Sequence, residues 1–169
     1  ESYLEGIQIR DRLDRNKELI HACLPTDIIS SDYIKERIKN FDLVHFAGHH
    51  EYDQNHPQRS GWLLADGKFE AKDISKMGGT GSLPALIFSN ACQSARTEVW
   101  TLNDNFHEEI FGLANAFLLA GVKHYIGTSW EILDEPGKMF ALEFYKHIFS
   151  GLTVGEAMRR ARMALISAF

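Results

Sequence analysis

The sequence predicts an α/β protein built on a mostly parallel sheet, and three observations carry that expectation. Short apolar runs alternate with longer stretches of helical periodicity, the pattern of strands joined by helices. The runs within Phe41 to His50 and Ala85 to Phe88 are mostly apolar, as strands buried on both faces are, and Val122 to Ile126 reads as another short strand. Each then gives way to small and polar residues, near His49, Cys92 and Ser129, so one sheet edge collects the reactive side chains. Open α/β sheets bind their ligands outside the carboxyl ends of their strands.

Taken in order, Tyr3 to Ala22 carries Leu4, Ile7, Ile9, Leu13, Leu19 and Ile20 among charges, an amphipathic helix ended by Leu24-Pro25. Asp27 to Ile29 reads as a short strand, and Ser30 or Ser31 caps a helix bearing Tyr33, Ile34 and Ile38. After the first histidine-bearing strand, His50 to Ser60 is polar and reads as a rim loop. Gly61 to Glu70 holds two short apolar runs around Asp66-Gly67, a dipeptide suited to a tight hairpin turn. Ala71 to Met77 suits one or two helical turns, and Gly78 to Gly81 connects to the cysteine strand. Gln93 to Asn105 is a second rim loop, followed by a helix over His107 to Ala120 that Gly121 stops. Pro136 opens a helix through Ser150, and Thr153 with Glu156 forms a capping box for the last helix.

Length and composition bound what such a chain does. The 169 residues, 44% hydrophobic and 24% charged, suit one domain, residues 1–169. With 18 basic residues, scattered, against 23 acidic ones, the net charge of -5 argues against nucleic acid as a direct ligand. No apolar run reaches the roughly 18 to 20 residues of a membrane span. An acidic start at Glu1 is unlike a signal peptide, so a cytoplasmic location is expected. A chain running from Glu1 to a helical pattern still open at Phe169 is expected to be a fragment of a larger multidomain protein.

The chemistry centres on Cys92. Free cysteine is among the most buried residue types, and an isolated one is usually structural. After Ser89-Asn-Ala at a strand end, with a histidine-bearing strand elsewhere, a nucleophilic thiol is the stronger reading, because the reactive thiolate needs an imidazole nearby. Cys23, in an apolar helical setting before Pro25, reads as structural, and its distance from Cys92 implies no disulfide framework. His45, inside the apolar run, reads as a hydrogen-bonded core histidine. His45, His49, His50 and His56 cluster in sequence without the His-Glu-x-x-His pattern of a zinc peptidase, so no metal is expected.

Several segments together resemble the CHAT domains, caspase-like cysteine peptidases often fused to tetratricopeptide repeats and related more distantly to caspases, separase and the gingipains. They are His45-Phe-Ala-Gly-His49, Ser60-Gly-Trp-Leu-Leu-Ala-Asp-Gly67, Ser89-Asn-Ala-Cys-Gln-Ser94, and Phe117-Leu-Leu-Ala-Gly121 through Gly127-Thr-Ser-Trp130. Phe144-Tyr145, Gly151 and Glu156-Ala157 complete the set, which covers most of the chain. The resemblance implies a caspase-like three-layer sandwich, a mostly parallel sheet with helices on both faces and a small β-hairpin insertion. It also implies a dyad of Cys92 and His49. Where the family often has a glycine after this histidine, the chain has His50. The family's first strand is either outside this chain or the Asp27 to Ile29 run.

On that basis Cys92 attacks a peptide carbonyl, His49 handles the proton, and the amides of His50 and Cys92 form an oxyanion hole, with no cofactor. Asp134 and Glu135 read first as solvated acids before a helix, and alternatively as a pocket wall pairing with a basic side chain of the substrate. Trp62 and Trp130 read as packing residues, Trp130 alternatively as a lining of the cleft. The expected substrate is a protein, and the expected partners are regulatory repeat domains or guide-RNA complexes of a prokaryotic defence or cell-death system. Two rival readings are a latent or pseudoprotease interaction module and another thiol acyl-transfer enzyme, an amidase or transpeptidase.

Overall fold

The structure, a computed structural model, describes residues 2–14, 20–25, 28–79, 81–92, 94–95, 112–129 and 133–168. In chain order its elements are α1 (Ser2–Leu13), α2 (Ser31–Arg37), β1 (Leu43–Ala47), β2 (His50–Glu51), β3 (Gly61–Leu64), β4 (Gly67–Glu70), α3 (Ala71–Met77), β5 (Leu86–Asn90), α4 (Leu113–Leu119), β6 (His124–Ile126), α5 (Asp134–Ile148) and α6 (Val154–Ala168). They form two compact units, Asp27–Glu131 and, from the two ends of the chain, Glu1–Thr26 with Ile132–Phe169.

The first of these units is built on a parallel sheet in the order β1-β5-β6. Leu43 pairs with Leu86 and the register holds to Ala47 and Asn90, while Leu86 to Phe88 pair with His124 to Ile126. A second, antiparallel sheet has the order β2-β3-β4. Successive side chains of a strand point to opposite faces. Val44, Phe46, Ile87 and Tyr125 accordingly meet a core made with Trp62 and Phe69 of the hairpin, Ile74 and Met77 of α3, and Leu113, Ala116 and Phe117 of α4. Leu86, Phe88 and Ile126, on the alternate positions, are also buried.

Trp62 is the pivot of that core. Its ring stacks on Phe46 at 4.4 Å between centroids and lies 5.4 Å from Phe117, and its indole N–H donates to Ser89 Oγ at 2.8 Å. Phe46 and Ser89 are paired residues of β1 and β5, so one buried indole holds a matched position of both strands. Gly61, beside it, has no room for a side chain: a Cβ would stand 2.2 Å from the Phe69 carbonyl oxygen across the hairpin.

Several expected boundaries move. The hairpin turn is Ala65-Asp66, because Gly67 already pairs with Leu64. With φ of +137°, Gly67 closes the ladder, and the Asp66 carboxylate is left to accept the Ser31 amide at 2.9 and 3.1 Å, tying the turn to the start of α2. Ser30, rather than Ser31, caps that helix through the Tyr33 amide at 3.1 Å. The expected rim loop from His50 is shortened, since His50 and Glu51 pair with Trp62 and Gly61 and give the hairpin a third strand. Ile28 to Ser30 form no strand, although Ile29 accepts a hydrogen bond from Ala65 at 3.4 Å; Asp27 lies outside the described residues. Helix α1 stops at Leu13 rather than Ala22: residues 15–19 are outside the described set and 20–25 are not helical. Asp14 is a poor helix former, and Pro25 biases Leu24 away from the helical region.

In the other unit, α5 and α6 are joined by a short connection whose Gly151 has φ of +92°, and α1 packs on α5. Helix α5 begins at Asp134, so Pro136 falls within its first turn, where no amide partner is lost. Ala157 and Ala161, one turn apart on α6, are fully buried, as are Ala141, Phe144 and Tyr145 on α5. Thr153 Oγ1 accepts the Glu156 amide at 3.3 Å, half of the expected capping box. The Glu156 carboxylate turns instead to Arg159 and Arg160 at 2.8 and 2.9 Å, which hold its pKa down to about 2. Among the described residues no helix is long and apolar enough to cross a membrane.

If Trp62 holds the two strands together, Trp62→Phe, which keeps a ring but loses the donor, should cost about 1 to 2 kcal/mol. Trp62→Ala should cost about 3 to 5 kcal/mol. Urea unfolding measures both, and a Trp62→Phe protein as stable as wild type would leave the indole hydrogen bond without a role.

Candidate active site

The parallel ladder delivers the histidine and the cysteine to one edge. Beyond the last pair, Ala47 with Asn90, the Gly48 amide still donates to the Asn90 carbonyl at 3.3 Å. His49 and Cys92 are each two residues past that pair, at equal offsets beyond the ends of β1 and β5. His49 is exposed and Cys92 partly buried, its thiol outside any disulfide. The His49 backbone is held from the other side, its carbonyl accepting the Leu63 amide of β3 at 2.9 Å. Glycine at position 48 has a local reason, since a Cβ there would stand 2.8 Å from the Phe46 ring, which is itself stacked on Trp62.

The same hydrogen bond shows how the His50 amide is directed. In an antiparallel pair bonded from Leu63 N–H to His49 O, the opposed residues His50 and Trp62 form a non-hydrogen-bonded pair. The N–H of His50 therefore points away from β3, and the ladder does not consume it. Its side chain lies on the Trp62 face of the hairpin sheet, because directly opposed residues share a face. Both ring nitrogens are buried and have no hydrogen-bond partner among the described residues. Burial pushes the imidazole pKa down to about 4; the nearby Cys92 backbone carbonyl and Glu51 oppose this in part, and Lys68 adds to it. His50 is thus a neutral ring packed near the Cys92 backbone.

Beyond β5 the chain turns sharply and is braced from β6. Within the turn the Ser94 amide donates to the Ala91 carbonyl at 3.2 Å, and Ser94 Oγ donates to the Ser89 carbonyl at 2.9 Å. From beyond β6, Thr128 Oγ1 donates to the same Ala91 carbonyl at 2.8 Å. The Thr128 amide donates to Ser94 Oγ at 3.3 Å, and the Thr128 carbonyl accepts the Ala95 amide at 2.8 Å. Tyr125 donates its hydroxyl to the Ser94 carbonyl at 3.0 Å, and burial raises its pKa well above the ordinary phenol value. Gly127 permits this approach: a Cβ there would stand 2.7 Å from Ser94 Oγ. Ser89, Ser94 and Thr128 belong to conspicuous segments of the sequence, yet their roles depend on pairings 31 to 37 residues apart or on a sharp turn that composition does not show.

His45 is partly buried and packs its ring on Phe88 at 4.9 Å, as a core histidine would. Asp134 and Glu135 are exposed on the first turn of α5, in the other compact unit, where carboxylates suit a helix N-terminus. Trp130 lies outside the described residues, as does most of the expected rim loop from Gln93 to Asn105. Cys23, expected in an apolar helical setting, is exposed on a non-helical stretch, the consequence of α1 ending early. His56 is exposed in a loop folded by Asp53, whose carboxylate accepts the amides of His56 and Asn55 at 2.9 and 3.0 Å and is held below the usual carboxylate range. Among the described residues no three His, Cys, Asp or Glu side chains converge to hold a metal ion.

A buried neutral His50 makes stability depend on pH with a definite sign. Unfolded, the ring takes up a proton below its ordinary value of 6.5, whereas in the fold it does so only near 4. Stability should therefore fall as pH drops from about 6.5 towards 4, by on the order of 3 kcal/mol from this group. Urea unfolding across that range should show a shallower dependence in His50→Asn. Identical slopes in the two proteins would contradict the buried, neutral ring.

No curated protein gave a match to the chain. A family model described as the CHAT domain matches residues 8–168, nearly the whole chain, and spans β1 with His49 and β5 with Cys92. On that match the chain belongs to the CHAT domain family, which is caspase-like and related to the cysteine peptidases.

Proposed function

We propose that the chain is a cysteine endopeptidase whose nucleophile is Cys92 and whose proton carrier is His49. The observation that carries this reading is the equal offset of the two residues beyond the Ala47 and Asn90 pair of adjacent parallel strands. Cys92 Sγ bonds to the carbonyl carbon of a peptide while His49 takes the thiol proton and then gives it to the departing amine. The C–N bond breaks and a thioester remains. Water, giving a proton to His49, attacks that thioester, and the proton returns to sulfur as the carboxylic acid leaves.

Charge develops on the carbonyl oxygen at both additions, and the amides of Cys92 and His50 are its donors in this reading. Support comes from the direction of the His50 amide, which the ladder to β3 leaves unused. Losing one such donor typically costs about 3 kcal/mol of transition-state stabilisation. The exposed imidazole and partly buried thiol suit an extended peptide that enters from solvent along the sheet edge.

Incubation of the protein with a proteome-derived protein mixture, followed by mass spectrometry of new amino termini, tests this directly. New termini should appear with wild type and be absent with Cys92→Ala. His49→Ala should lower their rate of appearance by about 10² to 10⁴. Release of ammonia or transfer of the acyl group to an added amine, without new protein termini, would point to another acyl-transfer enzyme.

A further inference from the structure

We propose that Thr128 is a positioning residue that aims the Cys92 amide, preorganising one oxyanion donor from the neighbouring strand end. The inference rests on the peptidase reading given above. The peptide unit joining Ala91 to Cys92 is a rigid plane whose C=O and N–H point in opposite directions. Whatever holds the Ala91 oxygen therefore directs the Cys92 N–H.

Among the described residues two donors hold that oxygen, the Thr128 hydroxyl at 2.8 Å and the Ser94 amide at 3.2 Å. The Ser94 amide belongs to the same turn and moves with it. Thr128 comes from beyond β6, 37 residues away in sequence, and supplies an outside reference. Its own backbone is clamped twice, amide to Ser94 Oγ at 3.3 Å and carbonyl to the Ala95 amide at 2.8 Å, so the hydroxyl has a fixed origin. A β-branched residue is also stiff about χ1, which holds the hydroxyl on its acceptor. The absence of a side chain at Gly127 lets this segment approach Ser94 closely. Thr128 contacts no reacting atom in this scheme; it acts through the peptide plane. A hydroxyl in that place could instead serve only to satisfy a carbonyl, and the two roles differ in what they change.

The test uses the full chain carrying Cys23→Ser and labelled with ¹⁵N-cysteine, so that Cys92 gives a single amide resonance. In Thr128→Val the shape is kept and the donor is lost. Its kcat on a peptide identified from the cleaved termini should fall by roughly tenfold or more, against about 10² to 10³ for outright loss of an oxyanion donor. KM should be unchanged. Alkylation of Cys92 by iodoacetamide should also be unchanged, because displacement of iodide develops no oxyanion. The Cys92 resonance should shift or broaden, and Thr128→Ser should restore both resonance and kcat. A Thr128→Val protein with wild-type kcat and an unmoved Cys92 resonance overturns the proposal, as does an equal loss of alkylation and turnover, which would mean general damage. If Thr128→Val does not fold, Thr128→Ala carries the same comparison. If the wild type cleaves nothing and its alkylation ignores His49, the peptidase reading fails on its own, and the amide resonance still decides whether Thr128 sets the direction of the Cys92 peptide.

Discussion

The parallel pairing of β1 with β5, in one register from Leu43 and Leu86 to Ala47 and Asn90, is the constraint on which the site depends. Side chains alternate between faces along a strand, so a slip of one residue would send every buried side chain to the wrong face and would carry His49 away from Cys92. Trp62 guards against that slip. It stacks on Phe46 and hydrogen-bonds to Ser89, and these two are partners in the ladder, so its contacts are satisfied together only in this register. A tryptophan on an antiparallel hairpin thereby sets the geometry at the end of a parallel sheet.

At the carboxyl edge the polar groups fall into two sets with different tasks. Ser94, Thr128 and Tyr125 spend their hydrogen bonds on backbone groups or on one another, and they fix a turn that would otherwise leave buried carbonyls unpaired. His49 is exposed and Cys92 partly buried, each just past the end of its strand. Between the two sets lies His50, which offers its amide outward while its ring is packed inward and kept neutral by burial. A glycine there would supply the same amide. The imidazole adds packing next to the Cys92 backbone, and its burial as a neutral ring is the source of the acid sensitivity expected of the fold.

Much of this was legible in the sequence because burial writes itself as composition. Strands β1 and β5 stand out as apolar runs and Val122 to Ile126 as a short strand, and their common ending in small and polar residues marks the edge where His49 and Cys92 are found. Turn chemistry was legible only to within one residue, because Gly67 in the Asp66-Gly67 pair closes the ladder and Ala65-Asp66 makes the turn. The polar brace was not legible, since the Ser94 to Thr128 and Trp62 to Ser89 bonds join residues far apart in sequence. Cys23 differs from its expected setting for a related reason: apolar spacing carries the expected helix past Leu13, where α1 ends.

Whether His49 acts on the Cys92 thiol, as proposed, is read from the alkylation rate of Cys92 by iodoacetamide at neutral pH, in a Cys23→Ser background. With His49 present the imidazole stabilises the thiolate, and His49→Ala should slow the reaction by roughly tenfold or more. Equal rates in the two proteins would show that the imidazole and the thiol do not work together, and would contradict the dyad.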